Sequence, residues 1–171
     1  MKLWVVAGAL ALWCAPTAQA APPNFPDLDF FTPTTDTHLA QYQGGTQQVV
    51  KFSTPDGVYC SINVLGGVGP TIRCYGAVPG IAGVAVTTDP YVAKPCDFGV
   101  ADLHAAREGV LSSMRGTCPT DLAGAAVLLP GEKVTVRSTT CGVAPGSVTA
   151  CIDNTDGGHG FVLQPSGSWA F

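Results

Sequence analysis

Charge is scarce in this chain: only 12% of its 171 residues are Asp, Glu, Lys or Arg, and the formal net charge is −4. A nucleic-acid partner needs clustered cations to neutralise phosphates, and the few basic residues here are scattered, which sets that class of partner aside. Long stretches of good helix formers are also few, so a helical bundle is disfavoured. No apolar run reaches the ~20 residues of a membrane helix, because glycine, proline or charge interrupts each one. Three chemical signatures are missing as well. No closely spaced cysteine pair of the C-x-x-C kind offers a zinc site, no H-x-x-x-H or H-E-x-x-H pairs histidines for a metal, and no G-x-S-x-G presents a serine nucleophile.

What the chain has instead is turn-forming residues, 21 glycines and 14 prolines. They separate short runs of β-branched and aromatic residues. The expected fold class is all-β and mostly antiparallel, a small disulfide-stapled sandwich or barrel built from hairpins with little helix.

The N-terminus reads as a secretory signal over residues 1–20. Lys2 supplies the charge, Leu3 to Trp13 the short apolar run, and Ala18-Gln19-Ala20 a small-residue cleavage site after Ala20. Trp13 before Cys14 does not suit a lipoprotein cleavage site. Residues 21–48 form a proline-rich arm, and residues 49–171 a β-rich disulfide domain. The arm carries Phe25, Leu28, Phe30 and Phe31, which a free tail would leave exposed. Part of it is therefore expected to lie on the domain, the alternative being that its aromatics dock on a partner.

Six cysteines follow the signal: Cys60, Cys74, Cys96, Cys118, Cys141 and Cys151. An even number in an exported chain points to disulfides. Cys60 and Cys74 are symmetric about Gly67, Cys96 and Cys118 about Arg107, and Cys141 and Cys151 about Gly146, which suggests three nearest-neighbour bridges across three hairpins. Around the first bridge, Val58, Ile62, Val64 and Ile72 share the face of the cysteines, so that bridge is expected to be buried. Around the third, period-two alternation through one strand over 134–141 places Arg137, Thr139, Thr149 and Asp153 with the cysteines. Val134, Val136, Val148, Ala150 and Ile152 then fall on the opposite side. The third bridge is accordingly expected on an outer, wetter face. Residues 97–115 support either a helical stripe (Val100, Leu103, Val110, Leu111, Met114) or two strands flanking 104–109, and the strands are preferred. One helical turn is expected within 121–129.

Several of these stretches together resemble a family. Phe25-Pro-Asp-Leu28, Phe52-Ser-Thr-Pro-Asp-Gly-Val-Tyr-Cys60, Thr140-Cys-Gly142, Val148-Thr-Ala-Cys151, Gly158-His-Gly-Phe-Val-Leu163 and Gly167-Ser-Trp-Ala-Phe171 are similar to motifs of small exported, disulfide-containing proteins of mycobacteria and related actinobacteria. That group has no assigned biochemical function. The resemblance implies export and a β-rich disulfide domain, and it brings no catalytic residue.

His159 is the residue with most chemical promise, since Asp153 and Asp156 stand near it and a carboxylate-oriented imidazole can act as a general base. The competing reading is an ordinary turn, because Asp153-Asn-Thr-Asp-Gly-Gly158 is rich in residues that favour turns. That loop also lacks the D-x-D-x-D-G spacing of a calcium loop. His38 and His104 are expected in solvent. Phe161, Trp169 and Phe171 suit a core, with an exposed ligand platform as the alternative. No cofactor or metal is expected. The functional expectation is a secreted, non-enzymatic binding module of the cell envelope or extracellular space, whose partner is a protein, glycan or lipid. The alternative is a small extracellular hydrolase using His159.

Overall fold

A computed structural model describes residues 22–34, 40–44, 47–66, 69–81, 86–104, 107–118 and 125–171. The segment read as a signal, His38 and residues 121–124 of the expected helical turn lie outside these residues. In chain order the strands are β1 (Thr32–Pro33), β2 (Ala40–Gly44), β3 (Gln47–Ser53), β4 (Val58–Leu65), β5 (Gly69–Gly76), β6 (Val86–Thr88) and β7 (Cys96–His104). They continue as β8 (Val110–Gly116), β9 (Ala126–Val127), β10 (Glu132–Val136), β11 (Thr139–Ala144), β12 (Val148–Asp153), β13 (His159–Leu163) and β14 (Trp169–Ala170). The helical content described is two short 3-10 turns, Leu28–Phe30 and Thr155–Gly157. The fold is all-β.

The strands form two sheets. One has six strands in the order β1-β10-β11-β12-β13-β14; the other has eight, ordered β2-β3-β4-β5-β7-β8-β6, with β9 beside β3. Most neighbours are antiparallel, as consecutive hairpins require, while β1, β6 and β9 each join a partner in parallel. The inner faces share one core. Phe52, Ile62, Ile72 and Leu103 come from the eight-stranded sheet and Val136, Val143, Phe161 and Leu163 from the six-stranded one.

Local sequence explains the central hairpins. Thr54-Pro55-Asp56-Gly57 closes a four-residue turn, with Gly57 N donating to Thr54 O at 3.1 Å and Gly57 at a φ of 81° that favours glycine. The strands that follow alternate strictly, so Val58, Cys60, Ile62 and Val64 are buried while Tyr59, Ser61 and Asn63 face outward. Cys96–His104 and Val110–Gly116 are two strands rather than a helix, with Asp102 opposite Val110 and Cys96 opposite Gly116.

Disulfides join Cys60 to Cys74, Cys96 to Cys118, and Cys141 to Cys151. The first and third link residues directly opposite each other in their hairpins. Both are fully buried, which corrects the expectation of a wetter third bridge. Two causes combine. The stretch 134–141 is not one strand, because Arg137 adopts a φ of 54° and turns the chain back, so Val134 pairs with Cys141 and Val136 with Thr139. That turn moves both valines onto the cysteine face and takes Arg137 off it. Thr139, Thr149 and Asp153 do share the face of the cysteines, yet the face is interior and all three are buried. The bridge nearest solvent is the middle one, with Cys118 exposed and Cys96 half-buried at the end of β7.

The outer face of the six-stranded sheet is apolar too, and the arm covers it. Leu28 joins Ala150, Ile152 and Val162 in a second cluster, against which Phe25, Phe31, Val148, Trp169 and Phe171 pack. Phe25 and Phe171 meet edge to face at 5.6 Å, and Trp169 lies 5.2 Å from Phe171. Gly142 leaves the seat for the arm, since a Cβ there would stand 2.8 Å from Phe31 and 2.9 Å from Leu28. Lys133 Nζ donates to Leu28 O at 2.7 Å and fixes the register.

Candidate functional site

Asp153 and His159 are cross-strand partners at the end of β12 and β13, so the fold does bring them to one spot. The carboxylate, however, is committed to the loop. Its Oδ1 accepts from Thr155 N at 3.2 Å and lies 2.9 Å from Thr155 Oγ1, which is equally close to Ser138 Oγ. Asn154 N donates to Ser138 O at 2.9 Å and ties the same loop to the neighbouring turn. These bonds describe a side chain that shapes a turn. Among the described residues, no hydrogen bond or ion pair joins the His159 imidazole to Asp153, and no group of three metal-ligating side chains occurs. The side chain of Asp156 lies outside the described residues. Asp153 Oδ2 and Thr139 Oγ1, opposite each other in the ladder, are buried with no protein partner among the described residues.

A different cluster occupies the outer face of the eight-stranded sheet, where alternation sends every second residue away from the core. Register sets these residues in rows across the strands. Lys51, Ser61, Arg73 and Asp102 make one row; Ser53, Tyr59, Tyr75, Val100 and Ser112 make the next. Phe98 and Met114 stand beyond them. The side chains enclose an open hollow of about 340 Å³, lined by Arg73, Tyr75, Phe98, Asp102, Ser112 and Met114 over a floor of Val100. Val100 is only 5% exposed although it points outward, so its neighbours lean over it. The volume falls at the low end of the range typical of ligand sites.

Arg73 and Asp102 form a two-pronged ion pair across β5 and β7, Nε to Oδ1 at 2.6 Å and Nη2 to Oδ2 at 2.9 Å. This fork fixes both planar groups in one orientation. The hydrogen bond to Asp102 raises the Arg73 pKa, partial burial opposes it, and Coulombic attraction to the same carboxylate adds to the rise. The guanidinium side chain remains 57% exposed, so its energetic worth to folding is small and its outward donors stay available. Tyr59 and Tyr75 lie side by side on adjacent strands, ring centres 6.0 Å apart and tilted by 38°. The arrangement offers apolar ring faces beside a fixed donor–acceptor pair, on a rigid ladder.

Sequence reading missed this site because the lining of the hollow comes from three strands, β5, β7 and β8, with Tyr59 beside it on a fourth, and Tyr59 alone falls within a motif. The available signal was alternation: Tyr59, Arg73 and Tyr75 fall on the face opposite Cys60 and Cys74. A larger hollow of about 440 Å³ follows the seam between the arm and the six-stranded sheet, lined by Phe25, Asp27, Lys133, Ile152 and Asn154 among others. The aromatic C-terminus is packed rather than a platform, with Phe161 in the main core and Trp169 and Phe171 in the outer cluster. His104 is exposed. The chain matches no family model, no curated protein and no solved structure.

Proposed function

We propose that the protein is an exported, non-enzymatic binding module that engages a component of the cell envelope or extracellular space through the outer face of its eight-stranded sheet. The observation that carries this reading is the hollow over Val100, which half-buried rings line beside the Arg73–Asp102 fork. Three disulfides support an oxidising compartment, since such bridges are seldom kept in the cytosol. The N-terminal segment would direct export and be removed after Ala20. No helix among the described residues is long and apolar enough to cross a membrane.

The test compares the mature chain with a Tyr75→Ala/Phe98→Ala double variant for retention on immobilised envelope material. Retention lost in the double variant, with circular dichroism unchanged, is the expected result. Equal retention of both would discard the face. A second reading, a hydrolase at His159, draws on the cross-strand placement of Asp153 and His159. Turnover of an ester, peptide or glycoside substrate that disappears in His159→Ala would replace the binding reading with that one.

A further inference from the structure

The chemistry of the open face narrows the class of its ligand. Its central cation and anion are bonded to each other, so the hollow presents donors and acceptors without net charge at its centre. An anion at the fork would compete with Asp102 for the guanidinium and a cation with Arg73 for the carboxylate, whereas a polyhydroxylated neutral ligand can add to the pair, accepting from the outward donors of Arg73 and donating to Asp102. The apolar part of the site consists of side chains at the spacing of neighbouring strands, namely Tyr59, Tyr75 and Val100 along one row. The Tyr59 and Tyr75 rings stand 6.0 Å apart, centre to centre, a separation at which successive sugar rings of an extended polysaccharide can each meet one ring. Each ring of such a chain has an apolar C–H face that suits an aromatic side chain and a rim of hydroxyls that suits planar polar groups. Serine hydroxyls stand in these rows at Ser61 and Ser112, where they can meet that rim.

From this we infer that the ligand is an uncharged polysaccharide, laid across β4, β5 and β7 with sugar faces on Tyr59 and Tyr75 and, one row along β7, on Phe98, and with hydroxyls on the Arg73–Asp102 fork. The inference rests on the binding reading above and names its ligand class. A protein partner is the competing occupant. It would be expected to cover a wider, more apolar patch than this hollow, in which polar and apolar rows alternate.

Affinity electrophoresis in native gels containing dextran, mannan or hydroxyethyl cellulose, with heparin as the charged comparison, tests it. At least one neutral polymer should retard the mature chain, and heparin should not. Tyr75→Ala and Phe98→Ala should each weaken retardation by about tenfold, on the scale of a lost ring contact. Tyr75→Phe should retain it, Arg73→Met should weaken it, and Thr135→Ala on the other sheet should change nothing. Intact disulfides and an unchanged near-ultraviolet dichroism spectrum guard against misfolded variants. Retardation that persists in both ring variants would overturn the inference, as would retardation by heparin alone. If no neutral polymer retards the chain while the Tyr75→Ala/Phe98→Ala variant still loses its hold on envelope material, the glycan assignment falls and the binding face stands. If that hold is also unaffected, both fall.

Discussion

The two sheets present the same kind of inner face to the shared core and opposite kinds of outer face to their surroundings. On the six-stranded sheet the outward residues Val148, Ala150, Ile152 and Val162 are apolar, and the chain's own arm closes over them with Phe25, Leu28 and Phe31. On the eight-stranded sheet the outward residues are mixed: rings beside serines, and a cation beside an anion, with no arm residue among the described residues that line the hollow they form. A sheet face covered within its own chain works as core and contributes stability. A face that mixes rings with polar groups gains less by being covered, and its fixed ion pair and adjacent, tilted tyrosines are the features on which the proposed binding reading draws.

The largest effect that could break this contrast is at Leu28. Leu28→Ala should destabilise the protein by about 2–4 kcal/mol, because it removes a buried side chain and loosens the seat over Gly142. Met114→Ala on the open face should cost about 1 kcal/mol or less. Urea denaturation of both variants measures the difference, and comparable costs would mean that the two faces are not energetically distinct. The bridges sharpen the same comparison. Mild reduction followed by thiol labelling should modify Cys96 and Cys118 at least about tenfold faster than the four cysteines held between the sheets, since reductant must reach the sulfur. Early labelling of Cys141 would contradict the burial of the third bridge. The smallest effect concerns the turn that sets the inner face of the six-stranded sheet. Arg137→Gly should stabilise by about 0.5–1 kcal/mol by relieving a left-handed φ, detectable as a raised denaturation midpoint.

Sequence alone was a good guide where a cause is local. The Pro-Asp-Gly turn, the alternation through Val58–Val64 and the symmetric spacing of cysteines each act over a few residues, and each left a readable pattern. It was a poor guide where the outcome depends on what stacks above a strand. Thr139, Thr149 and Asp153 look solvent-facing by composition, yet they are interior because a whole sheet lies over them. Arg137 is an unusual residue for a left-handed turn position, and nothing around it announces the reversal that moves Val134 and Val136 across the sheet. The open face is assembled from residues on β5, β7 and β8 that only register brings together. The loop around His159 was visible as a cluster, but sequence could not show that Asp153 spends its carboxylate on Thr155.

The arm's docking also sets an order of events. Each disulfide joins the two sides of one hairpin, so each can close as soon as its own short stretch of chain is available. β1 instead pairs with β10, and Leu28 rests on β12 and β13, all of which belong to the last part of the chain to be made. The segment synthesised among the first is therefore the one that must wait longest for its partner, and its closure carries the greatest chain-entropy cost in the molecule. Until then Phe25, Leu28 and Phe31 and the apolar strands they will cover are exposed together. A chain that stalls between β12 and β13, with the arm and part of its apolar seat both uncovered, should consequently be more prone to aggregate than one that stalls in the middle hairpins, before that seat is made.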